Sequence, residues 1–188
     1  MLAKAPDSWT HEEAAHLLNR AGFGGSPRDI ETLHGMGRHT AVAHLLDGSD
    51  ADDFMVRPAW AQPEQVRAEV RRQIEERREL QDAMRGKPAE EAERLRREFA
   101  QRLQREQRAR GVEGQGWWVR RMLHTKAPLR EKMTLFWHDH FATSLQKVRQ
   151  PVLLVEQNEL FRHHALGSFH ELTRAIVTDP AMMLYLDT

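Results

Sequence analysis

Cysteine is absent from the 188 residues, which removes disulfides, thiolate catalysis and cysteine-ligated zinc from consideration. Nor is there an excess of charge of either sign, since 28 Lys and Arg balance 28 Asp and Glu. A chain of zero formal net charge has no overall pull toward phosphate backbones or anionic lipid, so neither nucleic acid nor membrane is an expected partner. No apolar run approaches the roughly 20 residues that span a bilayer. Met1 to Asp7 lacks the apolar core of a leader peptide. As given, the chain reads as soluble and unexported, cytoplasmic by default, with its compartment unknown. Sustained period-two alternation is missing too, so no pair of strands is expected.

What the sequence does have is helix punctuation. Thr10 with Glu13 forms a capping box, and Ala14, Leu17, Leu18 and Ala21 supply an apolar stripe that ends at Gly22. Ser26-Pro27 opens a short helix with Ile30 and Leu33 turned inward, stopped by Gly35 and Gly37. Thr40 is expected to start a third, with Val42, Leu45 and Leu46 inward and an end near Gly48. Helices this short are unstable alone and need a shared core.

Roughly half of the residues from Gln62 to Arg110 are charged, with both signs interleaved. Val66, Val70 and Ile74 recur every four residues, as do Leu95, Phe99 and Leu103. The pattern predicts two long helices joined at Gly86-Lys87-Pro88, with narrow apolar seams. Glu93 to Arg97 and Glu98 to Arg102 are spaced to pair along the helix. Gly111, Gly114 and Gly116 read as a linker back to a globular part. There Trp117, Trp118, Met122 and Leu123 begin a buried helix, and Pro128 opens another with Leu129, Met133, Phe136 and Trp137 on one stripe. Pro151 opens a third, with Leu153, Leu154, Leu160 and Phe161 inward. Ser168 with Glu171 and Asp179-Pro180 cap the last two. The reading is all-α: a multi-helix globular domain in three parts. Residues 1–61 are short N-terminal helices packed on the core, 62–113 a charged helical hairpin insertion, and 114–188 core helices.

Chemistry is sought where polar residues interrupt apolar stripes. His140 follows Phe136 and Trp137 on one face of their helix. Gln157 and His164 lie on the stripe of Leu153, Leu160 and Phe161, and Asn158 and Arg162 are an i,i+4 pair beside them. A buried histidine or amide must find hydrogen-bond partners, so these positions imply a polar pocket among the helices. The candidate pocket comprises His138, Asp139, His140, Gln157, Asn158, Arg162 and His164. One reading makes these groups ties between helices. A sharper one has His138, Asp139, His140 and His164 converge on a metal, substrate or cofactor. Histidines at i,i+2 do not share a helix face, which weakens His138-Asp139-His140 as a ligand string. Glu159 and His163 do share one, and read as a surface ion pair. Gly22-Phe23-Gly24-Gly25-Ser26 lacks both the strand of a dinucleotide fold and the lysine of a phosphate loop. The helix from Thr40 to Leu46 carries no Arg or Lys with which to read base edges.

Four ordered blocks resemble one protein family. Ala15 to Gly24 (AHLLNRAGFG) is similar to the opening motif of the bacterial domain of unknown function 1800 family. Pro128 to Thr143 (PLREKMTLFWHDHFAT) is similar to its central signature. Gln157-Asn158 with Arg162 to Phe169, then Asp179 to Asp187, complete the order. The blocks cover the chain outside the charged hairpin, which looks like a variable insertion. The resemblance implies an all-helical domain of several hundred residues with no established activity, of which this chain is the N-terminal portion. Family members continue into an acidic segment with Asn-Glu-Asn and Ala-Arg-Glu; if that segment completes a site with His138, His140, Asn158, Arg162 and His164, these residues are half of it. The expected role is a scaffold or binding domain. The alternatives are half of a metal- or cofactor-dependent enzyme site around His138, His140 and His164, or protein–protein contact through residues 62–110. No reaction, cofactor or metal is assigned.

Overall fold

A computed structural model describes residues 8–47 and 55–188. Among the described residues run ten α-helices and no strand. Contacts divide the chain into two compact units. The first draws on Met1–Phe54, Val119–Ala142 and Phe161–Leu172, the second on Met55–Trp118, Thr143–Leu160 and Thr173–Thr188.

In the first unit, α1 (His11–Ala21) starts on the Thr10–Glu13 capping box. Helix α2 (Pro27–Gly35) starts on a second box, Ser26 with Asp29. Each box satisfies backbone N–H groups that the first helical turn leaves without partners. Leu18, Ala21, Leu33, Ala41 and Leu45 form the core here, with Trp9, Leu17, Ile30, Met36 and Leu129 packed on it. Helix α3 (Arg38–Asp47) begins two residues before the expected Thr40, behind Gly37, whose φ of +77° suits glycine. Ala41 and Leu45, four apart, therefore face inward, while Val42 and Leu46 are 38% and 56% exposed. With the helix starting at Arg38, Leu45 takes the inward position beside Ala41 and Leu46 turns outward.

In the second unit, α4 (Pro63–Met84) is followed by α5 (Ala89–His124), with the turn between them at Gly86 (φ +74°). Helix α4 buries no residue; Val70 and Ile74 stand 51% and 47% exposed, so apolar contact contributes little along that face. Ion pairs join the two helices instead: Arg110 to Glu69 at 2.9 Å, Arg72 to Glu106 at 2.7 Å and Arg102 to Glu76 at 3.2 Å. Residue numbers rise along one helix as they fall along the other, which makes the pairing antiparallel. Arg102 reaches across to Glu76, so Glu98 is met from the other side by Arg94 at 3.8 Å, whereas Glu93 and Arg97 pair at 3.5 Å.

The glycines at 111, 114 and 116 do not interrupt α5, which runs unbroken through them for 36 residues. The first two permit close approach, while Gly116 faces open space. A Cβ at Gly111 would lie 2.3 Å from Leu145 Cδ2, and one at Gly114 would lie 3.6 Å from the Trp60 ring and from Val155. At Gly111 any larger residue must first displace the Leu145 side chain, a cost set against glycine's helix penalty of about 1 kcal/mol. The core here gathers Ala61, Trp117 and Val155, with Trp60, Trp118 and Val152 against it. Two short helices, α7 (Leu145–Val148) and α10 (Pro180–Leu186), are joined by Lys147, which pairs with Asp187 at 2.7 Å and lies over the Tyr185 ring. Among the described residues no helix is long and apolar enough to cross a membrane.

Candidate functional site: two buried polar junctions

Helix α6 (Pro128–His140) presents an unexpected face to the interior of the first unit. Ala127 before it and Glu131 and Thr134 within it are at most 2% exposed, while Phe136 on the expected apolar stripe is 50% exposed. Positions 127, 131, 134 and 138 follow the spacing of one helix face, so the buried stripe of α6 is polar over most of its length. Thr134 satisfies its hydroxyl by donating to the Arg130 carbonyl at 2.8 Å. His138, one turn further, meets the Phe161 ring edge-on with centroids 4.6 Å apart.

Glu131 is the centre of this face. Arg162, on α8 (Pro151–His164), donates from Nε to Oε1 at 2.5 Å and from Nη2 to Oε2 at 3.0 Å. Arg121, near the end of α5, donates from Nε to Oε1 at 3.2 Å. Arg121 and Arg162 are 7% and 6% exposed. One carboxylate thus holds two guanidiniums out of water. Each ion loses hydration worth several kcal/mol, and mutual attraction returns it only while every partner is present. Beside this cluster, burial and then the nearby charge of Arg162 push the His138 imidazole down to about 4, so it is neutral at neutral pH.

A second junction lies in the second unit. Gln157 is completely buried; its Oε1 accepts from Thr143 Oγ1 at 2.6 Å and its Nε2 donates to Asp179 Oδ2 at 2.7 Å. The same Asp179 oxygen accepts from the Met182 N–H at 2.8 Å, which caps α10. Burial pushes the Asp179 carboxyl up against the opposing pull of these hydrogen bonds.

The seven candidate residues separate accordingly. Arg162 and His138 belong to the Glu131 cluster and Gln157 to the Asp179 cluster, while Asn158 is buried on α8. Asp139 and His140 are exposed. His140 does share the face of Phe136 and Trp137, with ring centroids 6.2 and 5.9 Å away, but on that face only Trp137 is half-buried, while Phe136 and His140 are exposed. His164 is half-buried and stands edge-on to His163. Among the described residues, His138, Asp139, His140 and His164 do not bring three ligand atoms together. Glu159 faces Arg57 at 3.6 Å rather than forming the expected pair with His163. Sequence reasoning passed over Glu131, Arg121 and Thr143. The one local signal was the 127-131-134-138 spacing, masked by the more hydrophobic Leu129-Met133-Phe136-Trp137 stripe beside it.

A family model described as "Protein of unknown function (DUF1800)" matches residues 16–188, a stretch that contains every member of both junctions. No curated protein and no solved structure matches the chain. By the extent of the family match, the chain belongs to the DUF1800 family.

Proposed function

We propose that this chain acts as a helical scaffold with a binding role, its buried polar residues locking helices in register rather than reacting. The observation that carries the reading is saturation. Both carboxylate oxygens of Glu131 are occupied by guanidinium donors, and both ends of the Gln157 amide are occupied by Thr143 and Asp179. A general acid, base or metal ligand needs an atom to give to substrate, and these atoms are already given to neighbouring helices. The binding surface falls to α4 and the facing stretch of α5, where charges of both signs and the half-exposed Val70 and Ile74 are offered to a protein partner. Cross-linking of the wild type against the Val70→Glu/Ile74→Glu double variant tests that assignment, with loss of a cross-linked species as the expected result.

One observation favours a second reading, half of a metal- or cofactor-dependent site. His138 is a neutral imidazole held beside a buried cation, and a neutral imidazole is a base and a metal ligand. Thermal-shift titration with divalent metals, phosphate and small carboxylates separates the two. Under the scaffold reading no ligand-induced shift is lost in His138→Gln, His140→Ala or His164→Ala. A shift abolished by any one of these in a variant that melts normally overturns it.

A further inference from the structure

We propose that His11, Glu31 and His34 form a binding site for a divalent transition-metal ion of the zinc type. None of the three is a member of either buried junction, so the inference stands or falls independently of the scaffold reading.

Their ligand atoms all lie within 4.8 Å of one another, the only such group of three among the described residues. In a tetrahedral shell with bonds near 2.1 Å, ligand atoms sit about 3.4 Å apart. His11 Nε2 and Glu31 Oε2 are now 2.6 Å apart, so closing around an ion requires side-chain adjustments of about an ångström. Exposed side chains make such moves freely, and His11 and Glu31 are 57% and 70% exposed. The backbone beneath them is fixed. His11 is the first residue of α1, directly after the Thr10 cap, and Glu31 and His34 are one turn apart on the same side of α2.

His34 is the oriented ligand. Its Nε2 donates to the Trp9 carbonyl at 3.0 Å, and the Trp9 indole donates back to the His34 carbonyl at 3.0 Å. With the proton on Nε2, Nδ1 carries the lone pair. A ring nitrogen tied to a backbone carbonyl while the other is left to ligate is the arrangement that raises imidazole basicity in metal sites. The nearby Arg38 guanidinium, over the Trp9 ring, is met by Glu13 at 2.9 Å.

A surface His11–Glu31 ion pair would explain two of the residues but not the third. The His11 and His34 rings stack with centroids 3.8 Å apart at 24°. The stack holds only while at most one ring is charged, because protonating both places like charges in contact. A metal ion requires both rings neutral and close. Two imidazoles and one carboxylate, with the fourth side open to water, suit zinc, nickel or copper rather than calcium or magnesium, which take oxygen ligands.

The test uses the untagged full chain stripped by chelator, titrated calorimetrically with zinc and followed optically with cobalt(II). One equivalent is expected to bind, and magnesium and calcium to give no heat. Because loss of outer-shell partners alone weakens metal sites 10- to 100-fold, His11→Ala, Glu31→Gln and His34→Ala should each weaken zinc by roughly tenfold or more and abolish the cobalt ligand-field bands. His163→Ala and His170→Ala, at exposed positions outside every candidate site, should bind as the wild type does. All five melts are to be recorded, and only variants that melt like the wild type are scored. Absence of stoichiometric binding overturns the proposal, as does binding that survives all three ligand substitutions or is lost equally in His163→Ala.

Discussion

Replacing Glu131 by Gln removes one charge and leaves two. The amide keeps the shape of the carboxylate, but Arg121 and Arg162, 7% and 6% exposed, then lose the carboxylate charge that both of them contact. Breaking a buried ion cluster by removing one partner costs about 3–5 kcal/mol, a large part of the 5–15 kcal/mol that keeps a typical domain folded. With a urea dependence of about 2 kcal/mol per molar, the midpoint should fall by roughly 1.5–2.5 M. Trp137 makes the change visible. Its indole donates to the Ala165 carbonyl at 3.1 Å within the same unit, so its fluorescence should follow the loss of that unit. Exchanging all three residues for apolar ones (Arg121→Met, Glu131→Leu, Arg162→Met) should instead be neutral or stabilising by about 1–4 kcal/mol, because the desolvation term goes with the charges. A Glu131→Gln cost below about 1 kcal/mol would show that water reaches the cluster, and the reasoning would fail.

Four further outcomes follow from the same geometry. The folded-state His138 value near 4 lies below its ordinary 6.5, so the unfolded chain takes the proton first. Stability is therefore full above pH 6.5 and drains between about 6.5 and 4, by about 3 kcal/mol at 1.36 kcal/mol per pH unit; urea midpoints should flatten over that range in His138→Gln. Glu69, held down to about 2 first of all by its bond from Arg72, should add a further loss as pH falls below about 4.5, absent in Glu69→Gln. Asp179→Asn keeps an oxygen for Met182 and Gln157 and should melt near the wild type, whereas Asp179→Ala loses the cap and strands the Gln157 amide, costing about 2–4 kcal/mol in a urea titration. Gly116→Ala, with open space around it, should stabilise by up to about 1 kcal/mol, and Gly111→Ala by less, since Leu145 must turn away; equal gains at both positions would contradict the packing.

Periodicity and caps carried most of the helix assignments, because both are local. Thr10, Ser26 and Asp179 each announce a helix within three residues of where it starts. The glycines of α5 misled for a physical reason: a residue without a side chain reads as a breaker in the sequence, and only the positions of Leu145, Trp60 and Val155 reveal it as a packing surface. Gln157 was legible as a polar residue on an apolar stripe, and it is buried. His140 and His138 lie on two different faces of one helix. Helical spacing tells which residues share a face but not which face is covered, so the exposed histidine drew attention that its half-buried neighbour deserved. Glu131 with Arg162 is separated by 31 residues and His11 with Glu31 by 20; no short-range pattern encodes pairings across such intervals.

The antiparallel ion pairs of α4 and α5 leave the far end of the two helices under few constraints. Nothing lies within 4 Å of the space beside Gly86, and every cross-pair sits between Glu69 and Glu76 on one side and Arg102 and Arg110 on the other. Residues nearer the turn can therefore be excised in matched whole turns from both flanks, or a reporter protein spliced in at Gly86, without altering the charge register below. The tip of this arm is a ready attachment point for a fluorophore or a fused tag.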